Sequence, residues 1–355
     1  IIADVGSTSS ILVGGFGDDV STRISTRSGL GQSAPLLLEL LGEEAVANWL
    51  PFVPAQAEIQ NYALNKSIRP ASIPISLRDF YLEMAFLREA LRMETRESLY
   101  QWPGTEAGKA LPAVAAMVIS GGALANTGNP FLSMMLAADG LQPTGVTKMY
   151  ADPYAFASVF APIGRINPEA AVQLVDSGAL VDLGTLISID GYAVPDRTVA
   201  RLRITTSDGE KINYELKGGH LLSLPLPANY SLTLQIRTVG AHRIGGKSRM
   251  KITLSGGAGG ILIDARGRNF EPAATVAERA RWLPLWIHEA TDEPLQEIPA
   301  EWIGAGAMTT EASAQPADLM ELAGFNDEDF MDEASEQKKK DDELNEELGS
   351  LRDLL

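Results

Sequence analysis

The first thirteen residues, IIADVGSTSSILV, limit what this chain can fold into more than any other stretch. Apolar residues run into an Asp-x-Gly-Ser-Thr loop and out into a second apolar run, so the polar group reads as the tight turn of a β-hairpin with buried strands. Gly6 lets the backbone approach closely, and Ser7, Thr8 and Ser9 leave N–H and O–H donors pointing into one small space. Two readings fit the pattern: a loop shaped for a phosphate, in which Asp4, Gly6, Ser7, Thr8 and Ser9 take part, or an ordinary hairpin turn.

The segments that follow suggest what the hairpin is built into. A Gly-rich turn at 14–19 and a Thr- and Ser-rich run over 20–27 add a third antiparallel strand. A helix is predicted over 36–50 with Gly42 as its weak point, and Pro51 and Pro54 break the chain after it. The clearest helix starts after Ser76, a natural N-cap, with Leu77, Phe80, Tyr81, Met84, Leu87 and Leu91 on one apolar face. From Leu111 the pattern becomes strand, helix, strand, helix. VAAMVIS (114–120) is a run of buried-strand type ending in Gly121-Gly122-Ala123, and GVTKMYA (145–151) is the next strand. Asn129-Pro130, Asp152-Pro153 and Asn167-Pro168 each look like a capped helix start, with Gly140 and Gly178 closing the first and third helices. Strands alternating with helices after a three-strand start imply a mixed sheet flanked by helices, an α/β fold.

Near Leu180 the chain turns to strand-like segments separated by Gly, Asp-Gly or Pro turns. Two of them alternate cleanly, Ala200, Leu202 and Ile204 against Arg201, Arg203 and Thr205, and Leu232, Leu234 and Ile236 against Thr233, Gln235 and Arg237. A strand with one wet face suits an antiparallel sheet, so residues 179–298 are expected to form a second, small antiparallel β-barrel or sandwich with a terminal helix. Its strands are expected to pack around their own core and not to extend the first sheet. Asp264, Arg266 and Arg268 fit either an anion site or a salt-bridged turn.

The net charge of −17 is uneven: fifteen acids and four bases lie in 311–355, a balance of −11 that leaves −6 for the rest. Residues 299–355 are therefore expected to be an acidic, disordered tail. Within it, Leu319, Met320, Leu322, Phe325, Phe330 and Met331 are candidate anchors for a protein partner. A chain of this charge repels nucleic acid and anionic membranes unless it carries a local basic face. There is no cysteine, which removes disulfides and thiolate chemistry and fits a reducing cytoplasm. His220, His242 and His288 lack metal-ligand spacing, so no metal site is read from them. The chain begins at Ile1 without a Met, as an excised or processed segment would.

The opening loop resembles a phosphate loop of the actin, sugar-kinase and heat-shock ATPase superfamily. Ile119-Ser120-Gly121-Gly122-Ala123-Leu124, Leu141-Gln142-Pro143, Asp152 and Asn167-Pro168-Glu169-Ala170-Ala171 are similar to the second half of the MutL/GlmL family, actin-like proteins associated with glutamate mutase systems. The likeness continues through Leu254-Ser255-Gly256-Gly257, Ile263 to Arg268 and the helix carrying Arg281, Trp282 and Trp286. It implies an actin-like, ribonuclease H-like subdomain over 1–178 that forms one wall of an ATP cleft, with the first half of the fold outside this chain. It also implies that Gly121, Gly122 and Ala123 pass the adenosine of ATP, with magnesium at the phosphates.

Where relatives carry a second Gly and a later Asp in the loop, this chain has Ser7 and Ile11, which weakens the expectation of hydrolysis more than that of binding. Weak ATPase activity stays open, and kinase activity is disfavoured because no substrate-binding carboxylate stands out. The resemblance therefore implies a nucleotide-binding accessory protein that acts on a protein partner through the β-domain or the tail. The alternative is a scaffold that kept the fold and lost the nucleotide.

Overall fold

The structure is a computed structural model and describes residues 1–100, 102, 111–268 and 270–304. The tail expected to dock a partner lies outside the described residues from 305 onward.

The opening meander forms as the sequence implies. Strands β1 (Ile2–Val5), β2 (Ser10–Phe16) and β3 (Asp19–Ser25) pair antiparallel in order, burying Ala3, Val5 and Leu12. The helix expected over 36–50 is instead two, α1 (Ala34–Leu41) and α2 (Glu43–Ala47), because Gly42 takes φ +79° and turns the chain between them. Helix α3 (Glu58–Ile68) follows, then α4 (Leu77–Leu99), the longest among the described residues. Ser76 caps α4 by accepting from the Asp79 N–H at 3.1 Å.

The alternating region is β4 (Leu111–Ala113), β5 (Ala116–Ser120), α5 (Gly122–Ala125), α6 (Pro130–Leu141), β6 (Pro143–Asp152), α7 (Ala157–Ile166) and α8 (Pro168–Leu174). Asn129 and Asn167 cap α6 and α8 as their Asn-Pro pairs imply. Asp152 does so only at a distance. It is the last residue of β6, so Pro153–Phe156 must first turn the chain, and its carboxylate reaches forward to the N–H groups of Phe156 (2.8 Å) and Ala157 (2.7 Å). Gly140 does not close α6, which runs on to Leu141 and ends at Gln142, in the left-handed region at φ +49°. It sits where α6 crosses α4, and a Cβ there would overlap Leu91. Gly178 does break the helical path after α8, with φ +87°.

The main sheet runs β10-β13-β7-β6-β5-β1-β2-β3, with β4 beside β6. Strands β7 (Val181–Ser188), β10 (Leu221–Pro225) and β13 (Gly260–Asp264) thus extend it. β7 pairs antiparallel with β6, β13 parallel with β7, and β10 antiparallel with β13. This corrects the expectation that the strands after 178 do not extend the first sheet; a core of their own does form, from Ile187 to Ala265, but three of these strands also belong to the first sheet. The second sheet contains only β8 (Thr198–Thr205), β9 (Lys211–Lys217), β11 (Ser231–Thr238) and β12 (Arg249–Ser255), in the order β12-β11-β8-β9.

The reason is burial on both faces. Leu186, Leu221 and Leu262 belong to the core that also holds α4, α6 and α9 (Val276–Thr291), whereas Ile187, Leu222, Ile261 and Ile263 join the core with Ala200, Leu202, Leu234 and Ile236 of the small sheet. The far end of the main sheet is therefore sandwiched between helices on one side and four strands on the other. Past α9, α10 (Ala300–Ile303) places Trp302 edge-on to Phe52, with ring centroids 5.7 Å apart.

Candidate functional site

Three neighbouring strands end level with one another. In the parallel β1/β5 pair Asp4 lies beside Ser120, and in the parallel β5/β6 pair Ser120 lies beside Asp152. The loop after β1 and the Gly121–Ala123 turn after β5 therefore leave the sheet side by side at its carboxyl edge, where α/β folds bind ligands. The two glycines of the turn do different work. Gly121 has φ +96°, and a Cβ on it would overlap the Val5 carbonyl, so β1 itself requires glycine there. No atom lies within 4 Å of where a Gly122 Cβ would stand. Gly122, Ala123, Asn126 and Thr127 form one wall of a cleft of about 520 Å³, and the 70–74 segment with Lys66 and Glu83 lines the other. Lys66 is held within that wall, with Nζ 2.6 Å from the Ser72 carbonyl and 3.0 Å from Glu83 Oε1.

The loop from Asp4 to Ser9 is fixed from behind. Gly6 N–H closes the turn on the Ser9 carbonyl at 2.9 Å. The N–H groups of Leu30, Gly31 and Ser33 donate to the carbonyls of Gly6 and Ser7, Gln32 N–H donates to Ser7 Oγ at 3.1 Å, and Ser33 Oγ donates to the Thr8 carbonyl at 2.7 Å. Side chains at Gly29 and Gly31 would collide with Ser7, which explains both glycines. The carbonyls of Gly6, Ser7 and Thr8 and the Ser7 hydroxyl are thus engaged by the 28–33 segment, although Ser7 and Thr8 remain exposed. Gly31 also stands against Pro70, so the loop and the wall of the cleft adjoin.

Burial and then the Asp152 carboxylate raise the pKa of Asp4 above the usual carboxylate range, against a hydrogen bond from Ser120 that lowers it. Asp152 is buried, and both its oxygens accept the backbone N–H groups before α7. Directly across the hairpin from Asp4 stands Ile11, the position where relatives are expected to carry an acid. Among the described residues no group of three or more His, Cys, Asp or Glu could hold a metal. A magnesium ion here would have Asp4 as its one uncommitted carboxylate, a set that suits an ion ligated mainly by phosphate and water. In the sequence Asp152 reads as a helix cap and as part of the family resemblance, but not as a neighbour of Asp4. The signal for more was its place as the last residue of a strand, matching Asp4 and Ser120, but only the register across two parallel pairs makes them neighbours.

Asp264, Arg266 and Arg268 form a salt-bridged turn. Arg266 binds the Asp264 carboxylate through Nε (3.0 Å) and Nη2 (2.8 Å) and reaches Asp139 Oδ1 at 2.6 Å, while Arg268 Nη1 lies 3.2 Å from Asp264. Burial would raise the Asp264 pKa, but the two guanidiniums override it and hold the carboxyl well below its usual range. Their charges are satisfied internally, and the anion reading falls away. Of the histidines, His220 is clasped between Glu289 (2.5 Å) and Asp196 (2.9 Å).

The fold and its loop pair define a mixed α/β protein whose sheet, edged by an antiparallel hairpin, is consistent with an actin-like fold. A family model described as MutL protein matches residues 3–178, and this part of the chain belongs to that family. Comparison with curated proteins and with solved structures finds no match. Among the described residues no helix is long and apolar enough to cross a membrane.

Proposed function

We propose that this chain is a nucleotide-binding, actin-like accessory protein that acts on a protein partner. The observation that carries the reading is the adjacency of the Asp4–Ser9 loop and the Gly121–Ala123 turn at one sheet edge, opening on the cleft beside Gly122. Adenosine would lie in that cleft against Gly122 and Ala123. Ser7, Thr8 and Ser9 would receive the phosphates, and Asp4 would hold their magnesium ion, which would supply charge neutralisation there. Bound magnesium-phosphate would supply the cation that the Asp4 carboxylate lacks. No residue at the loop stands as a general base for water: Asp152 is committed to α7 and Ile11 is apolar. Binding without rapid hydrolysis is therefore the activity the residues support, and transmission of cleft closure to a partner would run through the strands that extend the main sheet.

The competing reading, a scaffold without nucleotide, is favoured by how tightly the 28–33 segment holds the loop. Calorimetric titration of the chain with Mg-ATP separates the two: heats fitting a dissociation constant of about 1–100 µM support binding, and none at about 1 mM ends it. No atom lies within 4 Å of a Cβ at Gly122, so Gly122→Val is expected to fold normally and to weaken ATP at least about tenfold. Unchanged affinity in that variant would place the nucleotide elsewhere.

A further inference from the structure

The outer face of the small sheet is strongly basic, and strand register makes it so. Across β9, β8, β11 and β12 one row reads Glu215, Arg201, Arg237, Arg249, and the next reads Asn213, Arg203, Gln235, Lys251. Lys211 and Lys217, at the ends of β9, bring the described strand positions of this face to seven cations and one carboxylate, Glu215, which pairs with Arg201 and Lys217, while Arg203 donates to Asn213 Oδ1 at 3.0 Å. In a chain of net charge −17 this is an abrupt reversal of sign. The inner positions, Ala200, Leu202, Ile204, Leu234 and Ile236, account for the stability of the sheet, so core packing does not call for the outer cations.

We propose that this basic face is the docking site of the chain's own acidic C-terminal segment, residues 318–355. The segment carries most of the fifteen acids that follow residue 310, and its charge is opposite to that of the face. Reach is no obstacle. The described chain ends at Gly304, and the 14 residues from there to Asp318 span up to about 45 Å, more than the roughly 20 Å radius of gyration of a compact body this size. Tethering gives the segment a local concentration in the millimolar range, so it outcompetes any polyanion of similar intrinsic affinity. Arginine forks take carboxylates two-fold, which favours a polypeptide rich in Asp and Glu. The uncharged residues between them include Thr233 and Gln235, which are half-buried, and Thr253, which is exposed, and the described strand positions of this face carry no aromatic ring on which a nucleic-acid base could stack. The tail is thus held in cis by charge, and a more acidic partner segment would displace it.

The absence of cysteine makes the test direct, because two introduced thiols label uniquely. Spin labels at Thr253→Cys on the face and Ser335→Cys in the tail of the full chain are expected to show one narrow, short-distance population at about 0.05 M salt and a broad coil-like distribution at about 1 M. Arg201→Glu with Arg237→Glu and Arg249→Glu is expected to abolish the short population. The same loss is expected when Asp341, Asp342, Glu343, Glu346 and Glu347 become amides, a change that leaves the folded body untouched. A coil-like distribution in the parent chain at low salt overturns the proposal, as does a short distance that survives both charge variants. Release of the tail by one equivalent of oligouridine would reassign the face to nucleic acid.

Discussion

Asp4 bears its charge where the fold resists it. It is half-buried, near a second carboxylate, and lacks a cation among the described residues. Because its pKa in the folded state is raised, the native chain retains the proton over a range in which the unfolded chain has lost it. Stability therefore falls as pH rises from about 3.8 through the raised value, and at neutral pH the ionised group opposes folding. Asp4→Asn is expected to raise the melting temperature at pH 7 by about 1–3 °C while weakening the magnesium dependence of ATP binding. Scanning calorimetry with calorimetric titration checks both halves. A variant that melts lower would mean that the charged form is stabilised by contacts other than Ser120. Individual glycines show why such a site is only half legible in a sequence. Gly121, Gly122 and Gly140 look alike on the page, yet one lies against the β1 backbone, one against open space and one against Leu91 of a crossing helix.

At the scale of elements, alternation in the sequence identified the strands with a wet face but was silent about where the others pair. β8 and β11 alternate and belong to the small sheet; β13 reads GILID, is buried at every residue, and belongs to the main one. Ile261, Leu262 and Ile263 give β13 the apolar run of a strand between two layers, whereas β7, VDLGTLIS, mixes Asp, Gly and Thr among its apolar residues and carries no such sign. The edge at β10 is closed by α9 through one carboxylate: Glu289 accepts from Leu221 N–H at 2.9 Å and holds His220. Burial disfavours charge on His220, but hydrogen bonds and charge from Glu289 and then Asp196 outweigh it, and its pKa is raised. A raised histidine contributes stability that is fully present below its unfolded pKa of about 6.5 and is lost as pH rises through the folded value. The melting temperature is expected to decline over that interval, and His220→Gln is expected to flatten the decline. An unchanged slope in the variant would assign the dependence to another group.

The whole molecule is tied together by charge as well as by its two cores. Arg88 of α4 donates to Asp139 of α6 at 2.7 Å, Asp139 meets Arg266 beyond β13, and Arg266 shares Asp264 with Arg268, whose Nε in turn reaches the Pro143 carbonyl at 2.5 Å. Arg266 also lies over the rings of Phe270 and Trp286, 4.6 and 4.9 Å from their centroids. The family match stops at residue 178, but this chain of contacts does not: Asp139 lies within the matched part and Arg266 outside it. A boundary there is therefore expected to be invisible to unfolding, with the two parts melting as one unit. Asp139→Asn removes the one negative charge between two buried guanidiniums, and breaking a buried pair in this way costs about 3–5 kcal/mol. Urea unfolding followed by tryptophan fluorescence and by circular dichroism should show one coincident transition, moved to lower urea in the variant by that amount. If the variant loses less than about 1 kcal/mol, or the two signals separate in the parent chain, the two parts are held by apolar packing alone and can be treated as independent domains.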